Sequence, residues 1–194
     1  MKKDIILSGV GGQGILSIAT VIGHAALDEG LQIKQAEVHG MSQRGGDVQS
    51  NLRISSRTIH SDLIPQGAAD IVISLEPMEA LRYLHWLPAH GWIVTSTTAF
   101  KNIDNYPEDA AIESELAALP RVIALDVEAI AREAASPRSA NMALLGAAAP
   151  FLDLPVERLE EGICAIFARK GQSIVEQNLA AFRAGYAHAR KQMK

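Results

Sequence analysis

Only one cysteine, Cys164, stands among the 194 residues. That scarcity excludes a disulfide framework and points to a reducing compartment. It also excludes an iron–sulfur cluster held by four thiolates of this chain. The thiol lies in the apolar run Gly-Ile-Cys-Ala-Ile-Phe at 162–167, which predicts a buried, inert side chain. Long apolar runs are missing as well: none reaches the roughly 18 residues that a membrane span requires. Two lysines open the chain, but Asp4 and the glycines from Gly9 interrupt any signal-peptide core, so a cytoplasmic protein is expected. Positive charge is in deficit, with a net charge of −4 and basic residues dispersed apart from Arg190, Lys191 and Lys194. Binding to nucleic acid or to a membrane surface is therefore not expected as the main task. Repeats, low-complexity stretches and a flexible linker are also lacking. With 48% hydrophobic and 21% charged residues, the reading is a single domain spanning residues 1–194.

What is present begins as an α/β pattern. The apolar run from Ile5 to Ser8 ends at a glycine cluster, as a strand buried on both faces does. A helix is predicted from Gln13 to Glu29, with Ile15, Ile18, Ala19, Ile22 and Ala26 on one face and Gly30 as its cap. Leu31 to Val38 reads as a second strand, and this β–turn–α–β opening predicts a parallel pair with a right-handed crossover. Between Glu37 and Ile64 no helix fits. Asp47 to Ile54 alternates polar and apolar, and Arg57 to His60 is its expected hairpin partner across Ser55 and Ser56. Further strands are expected at Asp70–Leu75, Trp92–Ser96 and Arg121–Leu125, with a helix from Pro77 to about Leu87 and a loop from Lys101 to Pro107.

The last third reads as helical: Asp126–Ala135, Ser139–Leu152, Val156–Ala168 and a final helix. In that last helix Val175, Leu179, Phe182, Tyr186 and Ala189 form one buried stripe. The segment around Ala143–Ala149 is apolar on nearly every side, so it is either central to the core or a contact for another subunit. The predicted fold is a three-layer, Rossmann-like α/β domain. Its sheet is mostly parallel with an antiparallel β-insert, and its C-terminal third is helical.

Two motifs carry the chemistry. Gly9, Gly11 and Gly14, with Gly12 and Gln13 between them, make a glycine turn between strand and helix. Such a turn brings backbone amides close to a phosphate at a helix N-terminus. With Glu37 closing the second strand, it also satisfies a dinucleotide fingerprint. Equally, the glycines serve tight strand–helix packing. Glu37 then leads into His39, Gly40, Met41, Ser42, Gln43, Arg44, Gly45 and Gly46, a loop dense in polar groups and glycine. Arg44 suits a carboxylate or phosphate, or an internal pair with Glu37. No second ligand accompanies His39 at metal spacing, and Ser8 and Ser42 lack a nucleophile-elbow context. His24, His60, His85, His90 and His188 are scattered and read as structural or solvated. Asn141 and Asn178, each on an apolar helix, are candidates to anchor a loop or a ligand.

Taken together, Gly9–Gly14, Glu37–Gly46 with Val48, Ser50 and Arg53, Asn141–Ala147 and Asn178–Tyr186 resemble one family in order and wording. It is the gamma-type domain of the 2-oxoacid:ferredoxin oxidoreductases. The His-Gly-Met-Ser-Gln-Arg-Gly-Gly run is similar to the small (beta) subunit of the indolepyruvate branch. The resemblance implies a multi-subunit oxidative decarboxylase that forms an acyl-coenzyme A. Thiamine diphosphate and iron–sulfur clusters would sit on a larger partner subunit, and electrons would reach ferredoxin through it. Absence of a Gly-Asp-Gly motif and the single cysteine agree with a chain that holds none of these cofactors itself. Gly9, Gly11, Gly12, Gln13, Gly14 and Arg44 are then the expected coenzyme A contacts. Glu37, His39, Met41, Ser42, Gln43, Gly45, Gly46 and Asn141 are the expected active-site loop or subunit interface. Two other readings stay open: a free-standing NAD(P)-dependent dehydrogenase and a non-catalytic nucleotide-binding scaffold.

Overall fold

The computed structural model describes residues 1–39, 45–101 and 103–193, with His39 described by its backbone alone. Gly40, Met41, Ser42, Gln43 and Arg44 therefore lie outside the described residues. The chain runs β1 (Lys2–Val10), α1 (Ile15–Asp28), β2 (Gln32–His39), β3 (Asp47–Ser55), β4 (Ile71–Ser74), α2 (Pro77–Arg82) and β5 (Trp92–Ser96). It continues through α3 (Asp109–Ala118), β6 (Val122–Leu125), α4 (Val127–Ala134), α5 (Ala140–Ala148), α6 (Val156–Phe167) and α7 (Gln172–Gln192).

One sheet of order β2-β3-β1-β4-β5-β6 organises the molecule. β1, β4, β5 and β6 are parallel, and β3 is antiparallel to both its neighbours. Ile5 and Leu7 face the large core under α1 and the C-terminal helices, whereas Ile6 joins Ile64, Ala69, Val72 and Tyr83 on the opposite face. The result is the expected three-layer α/β fold, with β1 buried on both faces. Gly30, at φ 70, closes α1 as a glycine cap, its N–H donated to the Leu27 carbonyl and that of Leu31 to Ala26.

Two expectations about the insert need correction. β1 and β2 run in the same direction but are not a pair, because β3 lies between them in full register from Lys2↔Ser55 to Val10↔Asp47. Nor do residues 57–60 pair with β3. Both edges of β3 are already occupied, so no row of ladder groups is left for a third strand. The Arg57 N–H instead donates to Ser55 Oγ at 2.9 Å, and the Ile59 N–H to Gln32 Oε1 at 3.3 Å. The alternation of β3 is still explained: Leu52 and Ile54 enter the large core while Asn51 and Arg53 take the other face.

Helix α3 was not anticipated. Only Ile112 and Leu116 of its ten residues are buried, too thin a stripe to register as periodicity. The helix from Pro77 is shorter than expected, ending at Arg82 before a 3₁₀ turn at Leu84–Trp86.

Cys164 is exposed, contrary to expectation. α6 is amphipathic, and the face it buries is Leu159, Gly162, Ile163 and Phe167, one residue step away from the thiol. The all-apolar helix α5 resolves as core, with Met142 to Ala148 all buried. It crosses α7 at backbone contact. A Cβ on Gly146 would lie 1.9 Å from the Phe182 carbonyl oxygen, and one on Gly185 would lie 1.9 Å from that of Ala143.

Candidate functional site at the carboxyl end of the sheet

The chain leaves β1 toward β2 on one side and enters β4 on the other, so a topological switch point lies between β1 and β4. In open α/β sheets ligands bind in the crevice beyond the carboxyl ends of such strands. The glycine turn occupies that position. Gln13 holds it together: its Oε1 accepts the Val10 N–H at 2.7 Å and its Nε2 donates to the Leu75 carbonyl at 3.2 Å. One amide side chain thus ties the end of β1 to the end of β4. Gly14, at φ 90, sits under Asn141. A Cβ there would come within 2.7 Å of Asn141 Nδ2, which donates to the Gly14 carbonyl at 3.3 Å.

The two sequence motifs meet at the backbone. The Gly11 N–H donates to the Gly46 carbonyl at 2.8 Å, so the far end of the His39–Gly46 loop lies on the glycine turn. Among the residues expected at the site, the structure therefore gathers Gly9, Gly11, Gly12, Gln13, Gly14, Gly46 and Asn141. Glu37 is not with them. It pairs with Ser50, which pairs with Leu7, so β3 separates it from β1. Two strand spacings amount to roughly 10 Å. Glu37 is exposed there and cannot act as the ribose hook of a dinucleotide bound on this turn. Asn178 is buried, but its amide donates to the Ile174 carbonyl of its own helix at 2.7 Å and anchors no loop.

The turn is a partly satisfied amide cluster. The N–H groups of Val10, Gly11 and Gln13 already have acceptors. Gly12 is exposed, with φ 103 and no atom within 4 Å of where a Cβ would stand. Its backbone and the first N–H groups of α1, which precede the helical ladder, remain approachable.

A second wall of the crevice was not read from the sequence. Glu76 is fully buried and caps α2 by accepting the Glu79 N–H at 2.8 Å. Its other oxygen accepts the Phe100 N–H at 3.2 Å and the Tyr106 hydroxyl. One carboxylate thereby fixes the β5–α3 loop over the strand ends. Burial, followed by the bond to Glu76, pushes the Tyr106 hydroxyl pKa up. Glu79 is 1% exposed, and burial raises its pKa. Arg82, whose Nε lies 3.1 Å away, opposes that shift, while Glu76 and Asp47 add to it. Tyr83 is pushed up to about 12, by burial first and then by Glu79 and Asp47. One buried oxygen here, Ser8 Oγ, has no hydrogen-bond partner among the described residues, and Glu79 Oε2 meets only the Arg82 guanidinium. Glu immediately before Pro77 was the available signal for a helix start, but Glu is not a favoured cap.

Among the described residues, no three His, Cys, Asp or Glu side chains are grouped to hold a metal ion, and no helix is long and apolar enough to cross a membrane.

Comparison with known proteins identifies the family and the fold. The family model described as pyruvate ferredoxin/flavodoxin oxidoreductase matches residues 4–188. Indolepyruvate oxidoreductase subunit IorB of Archaeoglobus fulgidus is 37% identical over 198 residues, covering 97% of this chain and 96% of that protein. The IorB of Pyrococcus horikoshii is 34% identical, covering 100% and 99%. Among solved structures, the gamma subunit of keto/oxoacid ferredoxin oxidoreductase from Geobacter sulfurreducens superposes with a TM-score of 0.70 at 23% identity, covering 97% of this chain and 99% of that one. The 2-oxoglutarate:ferredoxin oxidoreductase of Magnetococcus marinus, solved with 2-oxoglutarate, coenzyme A and succinyl-CoA bound, superposes with a TM-score of 0.76 at 23% identity. This chain covers 31% of that longer one and is itself covered to 98%. The family model over residues 4–188 and these end-to-end IorB relatives place the chain in the pyruvate ferredoxin/flavodoxin oxidoreductase family.

Proposed function

We propose that this chain is the small subunit of a 2-oxoacid:ferredoxin oxidoreductase of the indolepyruvate type. The observation that carries the reading is end-to-end similarity, at 34–37% identity, to proteins named indolepyruvate oxidoreductase subunit IorB. A larger partner subunit holds thiamine diphosphate and the iron–sulfur clusters and passes electrons to ferredoxin. The single cysteine, which cannot supply a four-thiolate cluster, supports that division. Free-standing dinucleotide chemistry is not supported, since β3 separates Glu37 from the glycine turn.

The contribution of this chain is a wall of the shared active site. In this reading the Gly12 amide and the first N–H groups of α1, with Arg44, hold an anionic part of coenzyme A. Gly9, Gly11, Gln13 and Gly14 keep the turn in shape, and Asn141 supports it from α5. Coenzyme A supplies the thiol that accepts the acyl group. Asp47, Glu76 and Glu79 make the α2 side unfavourable for a phosphate, so the anionic part belongs on the α1 side. Glu37, His39, Met41, Ser42, Gln43, Gly45 and Gly46 form the rim that meets the partner.

Native mass spectrometry of the untagged protein purified from its source tests this. The expected result is a complex with a larger chain that carries iron and thiamine diphosphate and oxidises indolepyruvate. Recovery of the chain without such a partner, with NADH-dependent turnover of its own, would overturn the reading.

A further inference from the structure

The amino-terminal end of β1 holds a cavity of about 560 Å³ whose lining includes Lys2, Asp4, Arg53, Arg57, Ile59 and His60. It lies at the other end of a nine-residue strand from the glycine turn, on the order of 25 Å away. A buried ion pair gives it shape. Asp4 is 1% exposed and receives Arg53 in bidentate fashion, Nε to Oδ1 at 2.7 Å and Nη2 to Oδ2 at 3.0 Å. Arg53 Nη1 donates to the carbonyls of Ser61 at 3.1 Å and Leu63 at 3.0 Å. The wall is tied down again where the Ile59 N–H meets Gln32 Oε1 and Lys34 Nζ meets Asp62 at 2.9 Å. These bonds make the cavity a built feature, not a gap beside a loose loop.

Most side-chain cations around the cavity are paired with carboxylates, while the amino-terminal ammonium donates to Ser56 Oγ at 2.9 Å and Asp70 accepts the Asp4 N–H at 2.7 Å. Lys2 pairs with Asp4 at 2.7 Å, Lys3 with Asp153 at 2.6 Å, Lys34 with Asp62, and Arg53 with Asp4. The guanidinium of Arg57 has no ion pair or hydrogen bond among the described residues. Along the same wall the backbone N–H groups of Thr58, His60 and Ser61 also lack acceptors among the described residues. Asp4, faced by both Arg53 and Lys2, does not counter this excess. Ile59, 9% exposed, supplies apolar surface beside it.

We propose that this cavity is a binding site, separate from the crevice, for a small organic oxyanion: a carboxylate or phosphate monoester on a compact apolar body. Arg57 presents the planar fork that such a group takes in bidentate fashion. Free amides complete the cradle, and Ile59 lies beside the body. The volume falls within the range of small-molecule sites.

The test is heteronuclear NMR on the full chain titrated with phenyl phosphate, with phenylacetate, and with benzyl alcohol as the neutral control. At least one oxyanion should shift the amides of residues 57–61 saturably, and benzyl alcohol should not. Arg57→Ala should weaken that binding by tenfold or more, with Arg57→Lys in between. Because Arg57 is exposed and unpaired, both variants should keep the wild-type spectrum elsewhere. Preference for one probe identifies the oxyanion. Absence of saturable shifts for both oxyanions, equal binding of benzyl alcohol, shifts centred on Gly9–Gly14, or unchanged affinity in Arg57→Ala would each overturn the proposal.

Discussion

The two faces of the sheet are built on different principles. On one face, α1 and α4–α7 cover β1, β3, β4, β5 and β6 with a large apolar core that contains none of the buried carboxylates. On the other, α2 packs over a small cluster of Ile6, Ile64, Ala69, Val72 and Tyr83, surrounded by buried Asp4, Ser8, Asn51, Glu76 and Glu79. Apolar burial is non-directional and tolerates modest rearrangement, whereas buried polar groups demand specific partners. The thick face therefore sets stability, and the thin face sets the geometry of the strand ends where the crevice opens. Substitutions on the two faces should therefore separate stability from function.

The largest expected effect lies on the thick face, at the α5–α7 crossing. Gly146→Ala or Gly185→Ala places a methyl carbon 1.9 Å from a carbonyl oxygen of the facing helix, which only a backbone shift can relieve. Overpacking typically costs about 1–3 kcal/mol, and so close an approach to backbone puts these sites at the upper end. Urea denaturation of the full chain should show it as a lower midpoint. A loss under about 1 kcal/mol would mean that the two helices separate at little cost, and that this crossing does not set stability.

A smaller effect is expected at the seam between the faces. Gln13→Ala removes both bonds that join Val10 to Leu75 and leaves a part-buried N–H and carbonyl without partners. The cost should be about 1–3 kcal/mol. In the assembled enzyme the same change should raise KM for coenzyme A more than it lowers kcat, since it loosens a binding turn. Equal falls in kcat and kcat/KM would place Gln13 in the chemistry and blur the contrast.

Much of the thick face was legible in the sequence because periodic apolar residues report burial directly. Ile15, Ile18, Ala19, Ile22 and Ala26 are all buried as read, and Trp92–Ser96 is the predicted strand. The thin face was not. Its fixing contacts are single polar bonds between distant segments, such as Glu76 to Phe100 and Tyr106, which leave no periodic trace. Strand order failed for a related reason. Local pattern identifies β2 and β3, but nothing in their spacing tells that β3 inserts beside β1. The glycine turn was visible as a motif, yet whether its amides were free depended on Gly46 and Gln13. Cys164 was misread because an apolar run on an amphipathic helix still turns one side to solvent.

The smallest effect expected is also the one most specific to the thin face. Glu79 is buried, and its folded pKa is raised because burial, Glu76 and Asp47 disfavour the anion more than Arg82 favours it. A carboxyl raised in this way binds its proton more tightly in the folded chain. Its stabilising contribution is fully present below the unfolded value near 4.3 and is lost as pH rises through the folded pKa. Glu79→Gln carries no charge at any pH and so escapes that loss. Relative to the parent, the variant should match it in acid and gain stability as pH rises, with the difference levelling off above the folded pKa. The gain should be small, because the amide also gives up the ion pair to the half-exposed Arg82. Denaturation midpoints measured from pH 4 to 8 would resolve it. A difference independent of pH would show that Glu79 acts through packing alone, and the thin face would then lose its claim to a buried, pH-linked carboxyl beside the crevice.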